Sequence, residues 1–198
     1  MKYRTIVADP PWRYRQTSVT RNGSGVLYTK KAIGSDIEYP SMSNAEIGAL
    51  PVAEWADESA HLYLWVTNPR LYPEETDAGL GPQEIMRAWG FRYVTLLTWH
   101  KLRGAPGLGW YFRGETEHVL FGVRGRAAID PAIRVSNHFA AAKGKHSAKP
   151  DRFYEIVERV SPEPRLELFA RRRRFGWDVW GNEAPEFAAS QAEMGLPA

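Results

Sequence analysis

The chain has 198 residues, 43% of them hydrophobic and 25% charged, which is the size and composition of a single soluble globular domain. The lack of cysteine excludes disulfides and thiol chemistry, and the five histidines show no metal-motif spacing, so we expect no metal site. A net charge of +3 permits a nucleic-acid partner, and the lack of a signal peptide or a membrane-length apolar run predicts a cytoplasmic, intracellular protein without membrane contact.

The first predicted strand covers residues 2–8 and runs directly into residues 9–12, the DPPW segment. Proline fixes its own φ and restricts the residue before it, so we expect this segment to be rigid. The carboxylate of Asp9 and a proline carbonyl could then accept both N–H groups of a planar amine, with the Trp12 indole against its ring. A proline-rich turn without function is the alternative, and the position directly after an apolar strand favours the functional interpretation.

Residues 13–39 form a long polar segment that mixes cations with tyrosines, among them Tyr14 and Arg15. A loop of this length in a compact domain is either functional or without fixed structure. Cations and aromatic rings together suit contact with the phosphates and bases of a nucleic acid. A solvated surface loop is an equally good interpretation of the same residues.

A short helix is predicted to begin at Ser43, because Ser43 and Glu46 form a capping box, and to end at Pro51. The apolar residues 61–66 are predicted as the second strand. Asn68 follows the end of this strand, where ligand-facing groups collect in open α/β sheets. As part of an Asn-Pro pair, Asn68 is equally well explained as a turn residue.

Residues 82–89 are predicted as a helix whose buried face carries Ile85, Met86 and Trp89. The third strand covers residues 92–101, and Trp99 and Lys101 lie at its polar carboxyl end. Residues 117–123 form the fourth strand. The polar end of the third strand is a second group of candidate ligand contacts at a carboxyl terminus.

The connection across residues 124–149 is rich in basic residues, and a helix begins after it at Pro150. Helical spacing predicts a buried face on this helix formed by Phe153, Ile156, Val157 and Val160. Lys149 lies at the helix N-terminus, where a cation is unfavourable by about 0.3–1 kcal/mol unless an anion is present. Lys149 and the free backbone N–H groups would form a clamp for a carboxylate or phosphate. A solvent-facing lysine is the alternative.

The fifth strand, residues 165–170, contains Glu167. A carboxylate inside an apolar strand is costly to bury unless it is paired, so Glu167 needs a partner from either the protein or a ligand. Arg171 begins a run of four arginines that is by default a solvated face, although its position at the strand end also suits contact with a ligand.

The last predicted strand covers residues 177–180 and is followed by Asn182 and Glu183. We expect one domain over residues 1–183 and a loosely ordered tail over residues 184–198, which lacks periodicity. The alternation of strands and helices predicts an open, mostly parallel α/β sheet with helices on both faces. The chain has neither a Walker A sequence nor a GxGxxG fingerprint, so a nucleotide-like cofactor would depend on other residues.

Short motifs along nearly the whole chain match one known family, and they lie at residues 9–12, 39–43, 64–69, 88–91, 98–101, 146–151, 161–162, 167–171 and 177–182. On these motifs the chain resembles the MT-A70 family of S-adenosylmethionine-dependent N6-adenine methyltransferases. The resemblance implies a Rossmann-like methyltransferase sheet in permuted order, with the catalytic strand before the cofactor-binding strand.

The resemblance also implies roles for individual residues. Asp9 and the Pro10 carbonyl would hold the target amine, with Pro11 next to them in the catalytic motif and Trp12 against the adenine ring. Lys149 would pair with the methionine carboxylate of the cofactor. The implied cofactor-binding residues are Asp9, Lys149, Glu167, Phe169, Arg171, Asn182 and Glu183. The residues expected to contact the nucleic acid are Trp12, Tyr14, Arg15, Asn68, Trp99 and Lys101.

The expected reaction is direct methyl transfer to adenine N6, with DNA favoured over RNA because the compact chain resembles bacterial and phage members of the family. A catalytically silent nucleic-acid-binding subunit is the alternative, and the intact DPPW segment argues against it. Homodimers and heterodimers both stay open.

The chain departs from the family members that act on messenger RNA at three places. Those enzymes carry extra sequence before the catalytic strand, so the part of the site for the cofactor adenine is unassigned. They also have a His-Asn pair shortly after the position of Arg171 and Gln at the position of Glu183, which leaves the completion of the methionine end open.

Overall fold

The computed structural model describes residues 1–14, 17–21, 27–31, 41–74, 77–102, 112–144 and 148–181, without the side chains of 17–31. In these ranges the strands are β1 (Tyr3–Ala8), β2 (Thr17–Arg21), β3 (Leu27–Lys31), β4 (Ala56–Val66), β5 (Arg92–Leu102), β6 (Thr116–Arg124), β7 (His138–Ala142), β8 (Arg165–Leu168) and β9 (Asp178–Trp180). The helices are α1 (Asn44–Gly48), α2 (Val52–Trp55), α3 (Pro82–Ala88) and α4 (Asp151–Val160).

Seven of the described strands form one sheet in the order β7-β5-β6-β4-β1-β8-β9. Strand β6 is antiparallel to both of its neighbours, whereas every other adjacent pair in this sheet is parallel. The predicted Rossmann-like, mostly parallel α/β sheet is therefore confirmed. The reversed direction of β6 brings its first residues to the edge at which β1, β4 and β5 end.

The sheet has helices on both faces, as predicted. Side chains alternate between the faces along β4, where Leu62 and Leu64 point to one side and Tyr63 and Trp65 to the other. Helices α1, α2 and α3 cover the first face, and α4 covers the second. All the core residues predicted from helical periodicity are buried, namely Ile85, Met86, Trp89, Phe153, Ile156, Val157 and Val160.

Four elements differ from the sequence prediction. The backbone of β2 and β3 forms an antiparallel pair inside the segment predicted as one long loop. Strand β7 lies inside the connection predicted for residues 124–149, and α2 begins directly after Pro51. The alanine-rich β7 has little intrinsic strand preference, and its parallel pairing with β5 stabilises it instead.

Several predictions fall on residues outside the described ranges. They concern Arg15, Asn182, Glu183 and the tail, so the domain boundary at residue 183 stays a prediction. Within the described residues, no helix has the length and apolar character needed to cross a membrane.

Candidate active site

A cavity of about 270 Å³ opens at the edge of the sheet where β1 and β4 end and the antiparallel β6 begins. It is lined by Asp9, Pro10, Pro11, Trp12, Tyr14, Ser41, Trp65, Val66, Thr67, Glu117, Lys149 and Arg171. The cavity therefore brings the whole DPPW segment together with Lys149, which is remote in sequence. Crevices beyond the carboxyl ends of strands are where open α/β sheets bind their ligands.

The DPPW segment is held by its own backbone and by a neighbouring segment. The Trp12 N–H donates to the Pro10 carbonyl at 2.8 Å, and the Met42 N–H donates to the Pro11 carbonyl at 2.9 Å. A parallel bridge joins Trp12 to Met42. The two prolines restrict the backbone from within, and Met42 fixes it from outside, so the carbonyls of the segment have defined directions.

The Trp12 side chain is a core residue as well as part of the cavity wall. Only 4% of it is exposed, and its indole N–H donates to the Trp65 carbonyl at 3.0 Å. The guanidinium of Arg70 lies 5.9 Å from the indole centroid. Tyr14, at 38% exposure, offers far more aromatic surface, and its hydroxyl lies 2.9 Å from the Thr67 hydroxyl oxygen.

Four charged side chains form a continuous chain through the cavity. Lys149 Nζ lies 3.1 Å from Asp9 Oδ1 and 3.0 Å from Glu117 Oε2. The other oxygen of Glu117, Oε1, accepts from Lys101 Nζ at 2.6 Å. The Lys149 ammonium also lies 4.8 Å from the centroid of the Trp65 ring, a cation–π contact that supports its position. Signs alternate along this chain, so each buried charge has an opposite neighbour.

Burial and pairing compete in setting the pKa values of these groups. Burial raises the pKa of Asp9, and the nearby Lys149 ammonium offsets only part of this effect. Burial alone would lower the pKa of Lys149, but Asp9 and Glu117 together outweigh it and raise the pKa. Burial likewise opposes ionisation of Glu117, yet Lys149 and Lys101 hold its pKa below the ordinary value. Lys149 is therefore a stable cation between two carboxylates.

Glu167 has the partner that its burial requires, and that partner belongs to the protein. The Tyr154 hydroxyl, on α4, donates to Glu167 Oε1 at 2.5 Å. The Arg174 guanidinium lies 3.9 Å from the Tyr154 ring centroid. Burial raises the pKa of Glu167, and the charge of Asp9 adds to the shift. Glu167 lies in β8, in register with Val7 of β1, and not in the cavity wall itself.

The turn after β8 has a strained backbone. Phe169 adopts a φ of 62°, a left-handed conformation that costs a non-glycine residue about 1–3 kcal/mol. Its ring lies edge-on to Trp180 with centroids 5.1 Å apart, which stabilises the turn. Arg171 follows two residues later and lines the cavity. Strain of this kind often marks a functional site, because the surrounding structure must compensate for it.

One known protein family accounts for nearly the whole chain. The MT-A70 family model matches residues 3–183. The chain belongs to the MT-A70 family. The assignment predicted from the sequence motifs is therefore confirmed, and with it the enzyme class, a methyltransferase.

Individual MT-A70 relatives are similar over nearly all of the chain. It is 29% identical to the Type II methyltransferase M.MunI of a Mycoplasma species, covering 93% of this chain and 79% of the relative. It is 29% identical to the N6-methyladenosine RNA methyltransferase MTA1 of Cryphonectria parasitica, covering 92% and 52%. It is 27% identical to the human N(6)-adenosine-methyltransferase catalytic subunit METTL3, covering 92% and 28%. The chain thus spans only part of the length of the last two relatives.

The structure places the MT-A70 motif residues as follows. Of the predicted site residues, the cavity wall contains Asp9, Pro10, Pro11, Trp12, Tyr14, Lys149 and Arg171. Lys101 reaches the cavity through Glu117, whereas Trp99 is 2% exposed and packs against Trp65 in the core. Beside the cavity, Asn68 Oδ1 accepts from His118 Nε2 at 2.6 Å, and Asn68 Nδ2 donates to Thr116 Oγ1 at 3.2 Å. The roles of these residues stay predictions.

Glu117 is the charged residue of the cavity wall that was not predicted from the sequence. The available signal was a carboxylate at the first position of an apolar strand, which is weaker than that of Glu167, because Glu167 lies inside its strand. Glu117 reaches the cavity only because β6 runs antiparallel to its neighbours, and the hydrophobic pattern of the sequence does not reveal strand direction. Among the described residues, no cluster of three or more metal-ligating side chains is present.

Proposed function

We propose that this MT-A70 protein transfers the methyl group of S-adenosylmethionine to N6 of adenine in DNA. The observation that carries the proposal is the contact between Asp9 and Lys149 in one cavity, next to the rigid carbonyls of the DPPW segment. Asp9 and the DPPW carbonyls are acceptors suited to an amine, and Lys149 is a cation suited to a carboxylate. The cofactor supplies an electrophilic methyl group on its sulfonium, so no metal and no covalent intermediate are required.

Asp9 and the Pro10 carbonyl would hold the target amine. Adenine N6 is a poor nucleophile because its lone pair is delocalised into the ring. Two fixed acceptors on its N–H groups favour pyramidalisation and stabilise the positive charge that develops on nitrogen. Lys149 engages Oδ1 of Asp9, and a carboxylate has a second oxygen for the amine. Rigid placement of the amine contributes the remaining acceleration through orientation. The new N6–C bond would form as the C–S bond of the sulfonium breaks, leaving S-adenosylhomocysteine, and N6 would then lose one proton to solvent.

The donor set fits the methionine end of the cofactor. That end carries an α-ammonium and an α-carboxylate side by side, and Asp9 and Lys149 present the complementary charges in the cavity wall. Arg171 lines the same cavity and would extend the anion-binding side. Glu167 and Phe169, with Asn182 and Glu183, are proposed to surround the cofactor ribose and adjoining polar groups.

The proposed substrate is an adenine flipped out of a DNA duplex. Tyr14 is the exposed aromatic ring at the cavity and would stack on the flipped base, and the edge of Trp12 would complete the wall. Arg15, Asn68, Trp99 and Lys101 are proposed to support contact with the nucleic acid, Trp99 by packing beneath the site. Similarity to a Type II methyltransferase over 79% of its length favours DNA, because enzymes of that class modify DNA.

RNA is the second candidate substrate. It is supported by the similarity to MTA1 and METTL3, whose names state methylation of adenosine. The same cavity chemistry would serve either nucleic acid, because the reacting adenine is identical.

The test is incubation of the purified protein with methyl-labelled S-adenosylmethionine and matched DNA and RNA oligonucleotides, followed by mass spectrometry of the released nucleosides. We expect N6-methyldeoxyadenosine from DNA and none from oligonucleotides in which adenine is replaced. Label in another base, or transfer that survives Asp9→Ala, would refute the proposal. Product from RNA alone would replace DNA by the second candidate.

A further inference from the structure

Glu117 is a charged residue of the cavity wall to which the proposed reaction gives no role. It bridges two lysines, with 3.0 Å to Lys149 Nζ and 2.6 Å to Lys101 Nζ. Its side chain retains 15% exposure, and the lysines hold its pKa below the ordinary value against the effect of burial. Glu117 is therefore ionised at neutral pH and adds a fixed negative charge to the cavity wall.

The charge balance of the wall depends on this carboxylate. The charged residues that line the cavity are Asp9, Glu117, Lys149 and Arg171, two of each sign. Lys101 pairs with Glu117 behind the wall, so the five groups together carry a net charge of +1, and loss of Glu117 would raise it to +2. A cationic ligand would then enter a more repulsive site, whose partial burial weakens screening by solvent.

We propose that Glu117 is a specificity-determining residue that makes the cavity prefer the cationic sulfonium cofactor over its neutral thioether product. This inference rests on the proposed function, because it requires S-adenosylmethionine to bind in this cavity. The two ligands share the same amino-acid and nucleoside parts and differ by one methyl group and one positive charge. A fixed negative charge in the wall therefore stabilises bound S-adenosylmethionine more than bound S-adenosylhomocysteine. It thereby favours release of S-adenosylhomocysteine after transfer.

A role limited to positioning Lys149 predicts a different result. The methionine carboxylate that Lys149 is proposed to bind is present in both ligands. Loss of the Lys149 position would weaken both ligands equally, whereas loss of the Glu117 charge weakens the sulfonium ligand more. The ratio of the two affinities separates these roles.

The experiment measures Kd of S-adenosylmethionine and of S-adenosylhomocysteine by calorimetry for the wild-type protein and for Glu117→Gln. The preference is the Kd of S-adenosylhomocysteine divided by the Kd of S-adenosylmethionine. We expect this ratio to fall on the order of tenfold in Glu117→Gln, because the interaction between two unit charges in a partly buried site has about this effect on an affinity. Glu115→Gln is the matched control. Glu115 is exposed two residues away, so the same substitution should leave the ratio unchanged.

Lys101→Met tests the same idea in the opposite direction. It removes the cation that pairs with Glu117 Oε1 and should therefore increase the preference for S-adenosylmethionine. If Glu117→Gln does not fold, Lys101→Met alone tests the inference. An unchanged ratio in Lys101→Met, or equal weakening of both ligands in Glu117→Gln, overturns the inference. Failure of the wild-type protein to bind either ligand would overturn the proposed function as well.

Discussion

Replacing Lys149 by methionine tests the physical basis of the site. Methionine keeps much of the aliphatic length of lysine but removes the ammonium that lies between two carboxylates. Asp9 and Glu117 would then face each other in a largely buried cavity with their common cation gone. We expect loss of stability, because a buried charge without its partner is strongly unfavourable.

The exposure of the carboxylates sets the size of the effect. Removing one partner of a fully buried ion pair costs about 3–5 kcal/mol. The side chains of Asp9 and Glu117 keep 23% and 15% exposure, so solvent screens part of the loss. We therefore expect the free energy of unfolding to fall by about 1–3 kcal/mol at neutral pH. In a domain of this size the melting temperature would fall by roughly 3–10 °C.

The destabilisation should depend on pH in a defined direction. Burial raises the pKa of Asp9, and removal of Lys149 should raise it further. A raised pKa in the folded state means that the folded variant loses stability as pH rises through that pKa and Asp9 becomes ionised. Although burial favours the neutral form of Glu117, its lysines lower the pKa, which stabilises the folded wild-type protein above the unfolded pKa. The variant loses part of that stabilisation. Both effects vanish when the carboxylates are protonated at acidic pH.

The assay is denaturant unfolding of the wild-type protein and Lys149→Met at roughly pH 7.5 and roughly pH 4.5. The difference in free energy of unfolding should be larger at the higher pH. Lys143→Met is the control, because Lys143 is exposed and its replacement should change stability by less than about 0.5 kcal/mol. A difference that is absent, or equal at both pH values, would refute the electrostatic account.

Three further predictions concern the reaction and the buried carboxylate. Asp9→Ala should abolish methyl transfer while circular dichroism shows an intact fold, and full activity in this variant would contradict the role of the DPPW segment. Tyr154→Phe should lower the free energy of unfolding by about 1–3 kcal/mol in a denaturant titration, because Glu167 Oε1 loses its buried donor; unchanged stability would mean that the 2.5 Å contact is not important. Activity on oligonucleotides should fall steeply as salt is added, since phosphate contacts release counterions, and a flat response would indicate a small-molecule substrate.

Local sequence patterns predicted much of the fold, and they also predicted the DPPW segment and Lys149 as parts of the site. The apolar run before Asp9 predicted β1, and helical spacing predicted the buried faces of α3 and α4. The capping box at Ser43 predicted the start of α1, where Ser43 accepts from Glu46 as expected. These features depend on neighbouring residues, so a single sequence is sufficient to reveal them.

Pairings between distant parts of the chain were not predictable in the same way. From the sequence, Glu167 could pair with either the protein or a ligand, and only the packing of α4 on β8 identifies Tyr154 as a partner. The sequence predicted that Trp12 lies against the adenine ring, and the structure adds that most of the indole is buried against Arg70 and the core. Amino-acid type indicates what a side chain is able to do, but the fold decides which of its surfaces is available.

The sequence by itself determined the family, the rigid DPPW segment and the position of Lys149 at the start of a helix. The tertiary structure decided that Lys149 contacts both Asp9, directly after β1, and Glu117, in β6. Strands β1 and β6 run in opposite directions, because β1 is parallel to β4 and β6 is antiparallel to it. The physical reason is that hydrophobic periodicity reports which face of a strand is buried and is blind to strand order and direction. Because β6 is reversed, the carboxylate at its start lies at the edge where the parallel strands end, and the charge balance of the cavity depends on that reversal.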